Sequence, residues 1–235
     1  MTAGLELAVL DMAGTTIDEG QQVYRVLAET VTAYGPAPSQ ADIARWHGAA
    51  KHEALRALLT APGGEPPSAD LLDTVVADFR SRLAAAYASS PPRPLAGVTD
   101  AIAELRSAGI RVALTTGFDR DIVESLVSAL GWDGDSVVDG VVCGSDVAAG
   151  RPAPFMIFRA MENLGVAGVD RVLVAGDTPR DLQAGTNSGA AFVVGVLSGA
   201  GDAAELGKHR HTHLVGSVAE LPTLLGLRNS AARPA

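Results

Sequence analysis

The chain has 235 residues, 47% of them hydrophobic and 19% charged, which suffices to bury one large α/β domain or a core carrying a smaller inserted module. Its net charge of −9 disfavours nucleic acid and anionic membrane surfaces as partners, and it obliges any phosphate-bearing substrate to find local cations or a metal. Cys143 is the only cysteine, so a disulfide framework and a thiolate metal cluster are excluded; a small buried hydrophobe at a strand end is its expected role.

The amino-terminal stretch lacks a basic segment followed by an apolar run of signal length, and its first apolar run is too short to span a bilayer. A cytoplasmic protein is expected. Residues 5–10 read as a short buried strand, followed by Asp11-Met12-Ala13-Gly14-Thr15-Thr16. An aspartate at the carboxyl end of a first parallel strand sits in the crevice where open α/β sheets bind ligands, and small residues after it let backbone approach a substrate. Such a carboxylate can attack as a nucleophile, hold a cation, or serve only as an acidic turn.

Helical spacing then takes over. Val23, Val26, Leu27, Val31 and Tyr34 mark a helix over 21–34 that Gly35-Pro36 ends; Ser39 caps 40–46, His47-Gly48 interrupts, and 49–60 resumes. Residues 61–67 form a Pro/Gly loop, Ser68 caps a longer helix through 87, and Pro91-Pro92-Arg93-Pro94 reads as a stiff linker. Residues 19–92 are thus expected to be a helical cap inserted after the first strand, with 1–18 and 93–235 as the α/β core and hinges near 17–20 and 91–95.

From Gly97 strand and helix alternate: helix 99–107, strand 110–114, helix 119–130, strand 137–143, helix 152–164, strand 172–175, helix 179–188 and strand 191–196. That alternation predicts a Rossmann-like parallel sheet flanked by helices. The tail 229–235, small, polar and proline-bearing, is expected to fray. Polar residues recur just past three apolar runs: Asp11, then Thr115-Thr116-Gly117, then Gly176-Asp177, with Asp181 one turn on. Gly150-Arg151-Pro152 adds a cation just before a predicted helix start. Two acids, hydroxyls and an arginine converging on one crevice suit a metal and a phosphoryl group.

These motifs resemble the haloacid dehalogenase superfamily, and more closely its phosphonoacetaldehyde hydrolase (phosphonatase) branch. The resemblance spans nearly the whole chain. It implies that Asp11 is the nucleophile, that Thr115 and Arg151 hold the phosphoryl group with Thr116, Gly117 and His47 also lining the substrate, and that Mg²⁺ is bound by Asp11, the Ala13 carbonyl and Asp177 with Asp181 in support. Most members carry a second aspartate two residues after the nucleophile; here Ala13 stands there, and alanine cannot protonate a leaving oxygen, help typically worth ~10²–10⁴-fold. Cleaving a C–P bond instead needs an electron sink, which a lysine Schiff base supplies. The segment from Gly48 to Leu58 resembles the phosphonatase segment bearing that lysine, and Lys51 falls on its position.

The chain departs from that branch at His47, Ala54 and Phe118, where phosphonatases carry methionine, histidine and commonly tyrosine; His47 or His52 is the candidate replacement proton shuttle. The expected function is Mg²⁺-dependent hydrolysis of a small 2-oxoalkylphosphonate such as phosphonoacetaldehyde, and the branch's habit implies a homodimer paired through the cap. Two alternatives stay open: a phosphatase acting on a small phosphomonoester, and a non-catalytic phosphate-binding protein. Three further signals carry less. His209, His211 and His213 alternate but lack a fourth zinc ligand, Gly199-Ala200-Gly201 with Ala204 and Glu220 matches a dinucleotide pattern too late in the chain, and Trp46 and Trp132 read as packing.

Overall fold

A computed structural model describes residues 4–60, 63–132 and 137–227; the predicted tail 229–235 and residues 61–62 of the predicted loop lie outside the described residues. Six parallel strands form one sheet in the order β5-β4-β1-β6-β7-β8: β1 Leu7–Asp11, β4 Arg111–Thr116, β5 Gly140–Cys143, β6 Val172–Gly176, β7 Phe192–Val196 and β8 His213–Val215. Every residue of β1 is buried. Because strand side chains alternate between faces, Ala8 and Leu10 join one hydrophobic layer while Leu7 and Val9 join the other.

Helices cover both layers. α5 Val98–Ser107 and α6 Arg120–Ala129 supply Ile102, Leu105, Val123 and Leu126 to the first; α7 Phe155–Asn163 and α8 Pro179–Ser188 supply Met156, Ile157, Ala160 and Ala184 to the second. Full burial of such a side chain contributes about 1.5–3 kcal/mol. Two short helices, α9 Ala203–Leu206 and α10 Leu221–Leu224, complete the core.

Four helices follow β1 before the alternation starts: α1 Gln22–Tyr34, α2 Gln40–Ala44, α3 Lys51–Leu59 and α4 Ala69–Ser89. Ser39 closes a capping box with Asp42, and the Ser68 hydroxyl accepts from the Leu71 N–H, as expected of both serines. The chain enters and leaves this cap side by side. β2 Ile17–Asp18 pairs antiparallel with β3 Arg93–Pro94, so the segment expected to be a plain linker contributes a strand.

Other boundaries also move. The helix expected from 152 starts at Phe155, because Pro152 and Pro154 bias the residues before them away from helical geometry; Ala153 N–H donates instead to the Gly150 carbonyl. Strand pairing at β5 starts at Gly140, since the Asp139 carboxylate accepts from the Val112 N–H and from Arg106. β8 pairs with β7 at the edge of the sheet and puts His213 beside Phe192. Among the described residues, no helix is long and apolar enough to cross a membrane.

Candidate active site

The carboxyl ends of β1, β4 and β6 open into one crevice at the point where the strand order reverses. Asp11 ends β1 and is level with Thr115 on β4, while Asp177 directly follows β6. Arg151 joins them: Nη1 lies 2.6 Å from Asp11 Oδ1 and 2.9 Å from Asp181 Oδ1, and Nη2 donates to Thr115 Oγ1 at 2.9 Å. All of these side chains are buried. A planar guanidinium bridging two acids and a hydroxyl leaves little freedom in where its donors point.

Three carboxylates share this space with one arginine. Asp11, Asp177 and Asp181 each offer an oxygen within 4.8 Å of the others. Burial, reinforced by Asp181 and Asp177 and opposed by Arg151, pushes Asp11 up to about 8; burial and Asp181 push Asp177 up to about 6. A divalent cation would reverse that logic by favouring the ionised acids, and an oxygen-only donor set suits a hard ion such as Mg²⁺. The residues present therefore fit a divalent metal.

The acids are held from behind. Asp177 accepts from Thr15 Oγ1 at 2.8 Å and from the Ala200 N–H at 2.7 Å, and its carbonyl accepts from the Gly201 N–H. Asp181 accepts from the Thr178 N–H and hydroxyl, a capping box at the start of α8. Two glycines make room: a Cβ at Gly14 would lie 2.6 Å from Asp177 Oδ2, and one at Gly199 only 2.0 Å. The Gly199-Ala200-Gly201 run that mimics a dinucleotide signature thus wraps an acid of the site.

Lys51 approaches from the cap. It is the first residue of α3 and only 6% exposed; its Nζ donates to the Ala49 carbonyl at 2.9 Å and lies 5.2 Å and 5.5 Å from the Tyr24 and Phe118 ring centroids. Burial draws the amine down to about 8, against the pull of Asp11, whose negative charge favours the ammonium form. The cap loop carrying Lys51 docks tightly. A Cβ at Gly117 would lie 2.6 Å from the Ala49 carbonyl oxygen, and one at Gly48 would lie 2.6 Å from Thr178 Oγ1. Arg180 clasps the same loop, reaching the Arg45 carbonyl and the Trp46 ring.

Asp11, Thr115, Arg151, Asp177 and Asp181 come together, and the charges of Asp11 and Arg151 act on the buried Lys51 amine. Thr116 is buried, and its hydroxyl accepts the Phe118 N–H across the turn after β4. Ala13, Asp177 and His47 line a cavity of about 910 Å³ between cap and core, together with Glu19 and Tyr24. His47 packs on Tyr24 with ring centroids 4.1 Å apart; burial and the nearby Lys51 charge lower its pKa, favouring the neutral ring. Of the two alternative shuttle candidates, His52 lies away from the site: it is exposed and lines a separate surface cavity with Glu53, Asp73 and Asp119. At α3's first turn, Lys51 and Ala54 share the inward face and His52 takes the outer one.

Sequence reasoning missed Tyr24, Glu19 and Ala200. Tyr24 sat in plain helical periodicity, yet its hydroxyl accepts the Gly48 N–H at 3.1 Å and its ring covers Lys51. The three histidines near the carboxyl end do not converge: His209 Nδ1 meets Gln183, His211 Nδ1 meets the His209 carbonyl, and His213 meets Thr212.

A site of this kind on this sheet is that of an α/β hydrolase, and the chain belongs to the haloacid dehalogenase-like hydrolase family, whose pattern matches residues 5–189. It is 34% identical over 207 residues to a phosphonoacetaldehyde hydrolase of Paraburkholderia xenovorans (strain LB400), covering 82% of this chain and 74% of that one. Among solved structures, a phosphonoacetaldehyde hydrolase-like protein from Oleispira antarctica superposes with a TM-score of 0.80 at 21% identity, over 95% of this chain and 92% of that one. CbbY from Rhodobacter sphaeroides, solved in complex with phosphate, superposes with a TM-score of 0.74 at 22% identity, over 92% and 96%.

Proposed function

We propose that this hydrolase cleaves the C–P bond of a small 2-oxoalkylphosphonate, with phosphonoacetaldehyde as the leading substrate. The observation that carries the reading is the buried Lys51 amine, drawn down to about 8 and within electrostatic reach of a nucleophile-and-arginine site whose nucleophile lacks an acid two residues on. The name of the Paraburkholderia relative supports the same chemistry.

In this mechanism Thr115 and Arg151 hold the phosphoryl oxygens, and neutral Lys51 condenses with the carbonyl, with uptake of one proton from solvent, to give a protonated imine and water. Asp11 attacks phosphorus; the C–P bond breaks and its electron pair moves into the imine, leaving an enamine on Lys51 and an aspartyl phosphate on Asp11. Water hydrolyses the acyl phosphate to inorganic phosphate, and the enamine takes up a proton and water to release the aldehyde and free Lys51. Mg²⁺, held by Asp11, Ala13 and Asp177 with Asp181 in support, would neutralise phosphoryl charge and polarise the bond to the attacking carboxylate. Residues 19–92 act as a cap that opens about the paired segments near 17–20 and 91–95 to admit substrate and closes to exclude water.

Phosphorus NMR with phosphonoacetaldehyde and Mg²⁺ tests this. Wild type should convert the phosphonate signal to inorganic phosphate, and Lys51→Arg should lose at least about 10³-fold of that rate. An inert phosphonate together with phosphomonoesters hydrolysed equally by both proteins would establish a phosphatase instead.

A further inference from the structure

Tyr24 of α1 has no role in the mechanism above, yet three separate contacts tie it to the stretch that carries Lys51. Its ring centroid lies 5.2 Å from Lys51 Nζ, its hydroxyl accepts the Gly48 N–H at 3.1 Å, and its ring meets that of His47 at 4.1 Å between centroids. Packing alone does not account for them: an aliphatic side chain fills a helix face as well, and offers neither an acceptor for a loop N–H nor a π-face for a cation. Tyr24 also lines the 910 Å³ cavity with Ala13, His47 and Asp177, so one side chain touches both the cavity and the amine.

The loop between Tyr24 and the amine has little freedom of its own. Gly48 has φ +73°, and a Cβ there would lie 2.6 Å from Thr178 Oγ1, so the core abuts the residue whose N–H Tyr24 holds from the cap. One residue on, the Ala49 carbonyl accepts from Lys51 Nζ at 2.9 Å and presses on the backbone of Gly117. The Phe118 ring stands 5.5 Å from the same Nζ, and a cation within about 6 Å of a ring centroid is attracted by the π-face. Resting on the Schiff-base reading of Lys51, we propose that Tyr24 is the positioning residue for this lysine: its hydroxyl fixes the loop at Gly48, and its ring sets where the nitrogen meets the carbonyl and favours that nitrogen while it is positively charged, first as ammonium and then as protonated imine. Tyr24 forms no bond in the condensation and moves no proton.

Charged and titratable groups act on Lys51 from each element around it: Asp11 at the end of β1, Arg151 ahead of α7, Arg180 on α8, Glu19 ahead of α1 and His47 in the cap loop. Burial outweighs them and draws the amine down to about 8. Two consequences of removing the Tyr24 ring therefore differ in sign. Loss of the π-face moves the Lys51 titration to lower pH, because the ammonium loses a partner; a loosened, wetter pocket moves it to higher pH, toward an ordinary lysine.

The test compares wild type, Tyr24→Phe, Tyr24→Leu and Lys51→Arg as full chains with Mg²⁺. One readout is the rate at which borohydride traps the imine formed with phosphonoacetaldehyde at about pH 9, above the Lys51 titration, so that the rate reads placement of the amine rather than its ionisation. The other is the pH dependence of Lys51 acetylation by acetic anhydride without substrate, read by peptide mass apart from Lys208, the only other lysine. Tyr24→Phe keeps the ring and loses the acceptor: trapping should slow about 2–10-fold with an unmoved titration. Tyr24→Leu loses both: trapping should slow about 10–100-fold, and the titration should move down by about one pH unit. Wild-type trapping in either variant, a titration in Tyr24→Leu that stays or moves up, or a shift equal in both variants overturns the proposal. Should Tyr24→Leu not fold, Tyr24→Phe decides: slower trapping with an unmoved titration supports the assignment, and any other result overturns it. Failure of wild type to trap at all removes the Schiff-base reading, and this assignment with it; trapping in wild type but not in Lys51→Arg separates that failure from this one.

Discussion

Lys51 and Asp11 reach the same ionisation range from opposite sides. Burial draws the lysine down to about 8 and pushes the aspartate up to about 8. In the proposed mechanism both react in their deprotonated forms, so phosphate release should climb as pH rises through about 8 and then level off. The limbs can be separated. A cation at Asp11 lowers that carboxyl's pKa, whereas Lys51 keeps its own limb. Saturating Mg²⁺ should therefore leave imine trapping rising near pH 8 in a pH series, and a trapping rate flat from pH 6 to 9 contradicts a neutral Lys51 as the nucleophilic amine. At this scale the sequence was legible where position alone carries meaning. Asp11 and Thr115 stand one step past apolar runs and Asp177 two, which fixes them at strand ends. Glu19, Tyr24 and Ala200 were not legible, because their roles arise from contacts between segments far apart in sequence; Ala200 meets Asp177 only once β7 lies beside β6.

Among the elements, the loop after β7 shows how backbone is fitted to an acid. Gly199 leaves no space for a side chain, since its Cβ would stand 2.0 Å from Asp177 Oδ2. Gly199→Ala should push Asp177 off its Ala200 hydrogen bond and weaken Mg²⁺ activation by about 10–100-fold, the range seen when the support of a metal ligand is disturbed. Titration of activity against Mg²⁺ reads this directly, and an unchanged half-saturation would mean that Asp177 does not need that loop. Elements with a local signal were readable: Ser39 and Ser68 announce α2 and α4, and Gly189 stops α8 in a left-handed turn. Those set by partners were not. β3 is a strand only because β2 lies beside it, and β8 only because β7 offers an edge.

At the scale of the whole molecule, the cap is shut on the core. Arg80 of α4 pairs with Asp119 at 2.6 Å, Arg180 reaches the Arg45 carbonyl and Trp46 ring, and the Gly117 backbone presses on Ala49. Lys51 is enclosed as a result, so in the proposed mechanism substrate entry needs the cap to lift and catalysis needs it to return. The parallel-sheet core was foreseeable from strand and helix alternation, and the inserted cap from the break in that alternation; the way their surfaces mate was not, since it depends on complementary shape rather than period. The central claim joins the two parts: one substrate is held by the cap's amine while the core's carboxylate attacks it. Borohydride reduction with phosphonoacetaldehyde, followed by mass analysis of the modified peptide, tests it in wild type and Asp11→Asn. The account predicts a Lys51 adduct that has lost phosphorus in wild type and one that retains the phosphonate in Asp11→Asn. An adduct on another lysine, or none in either protein, would contradict it.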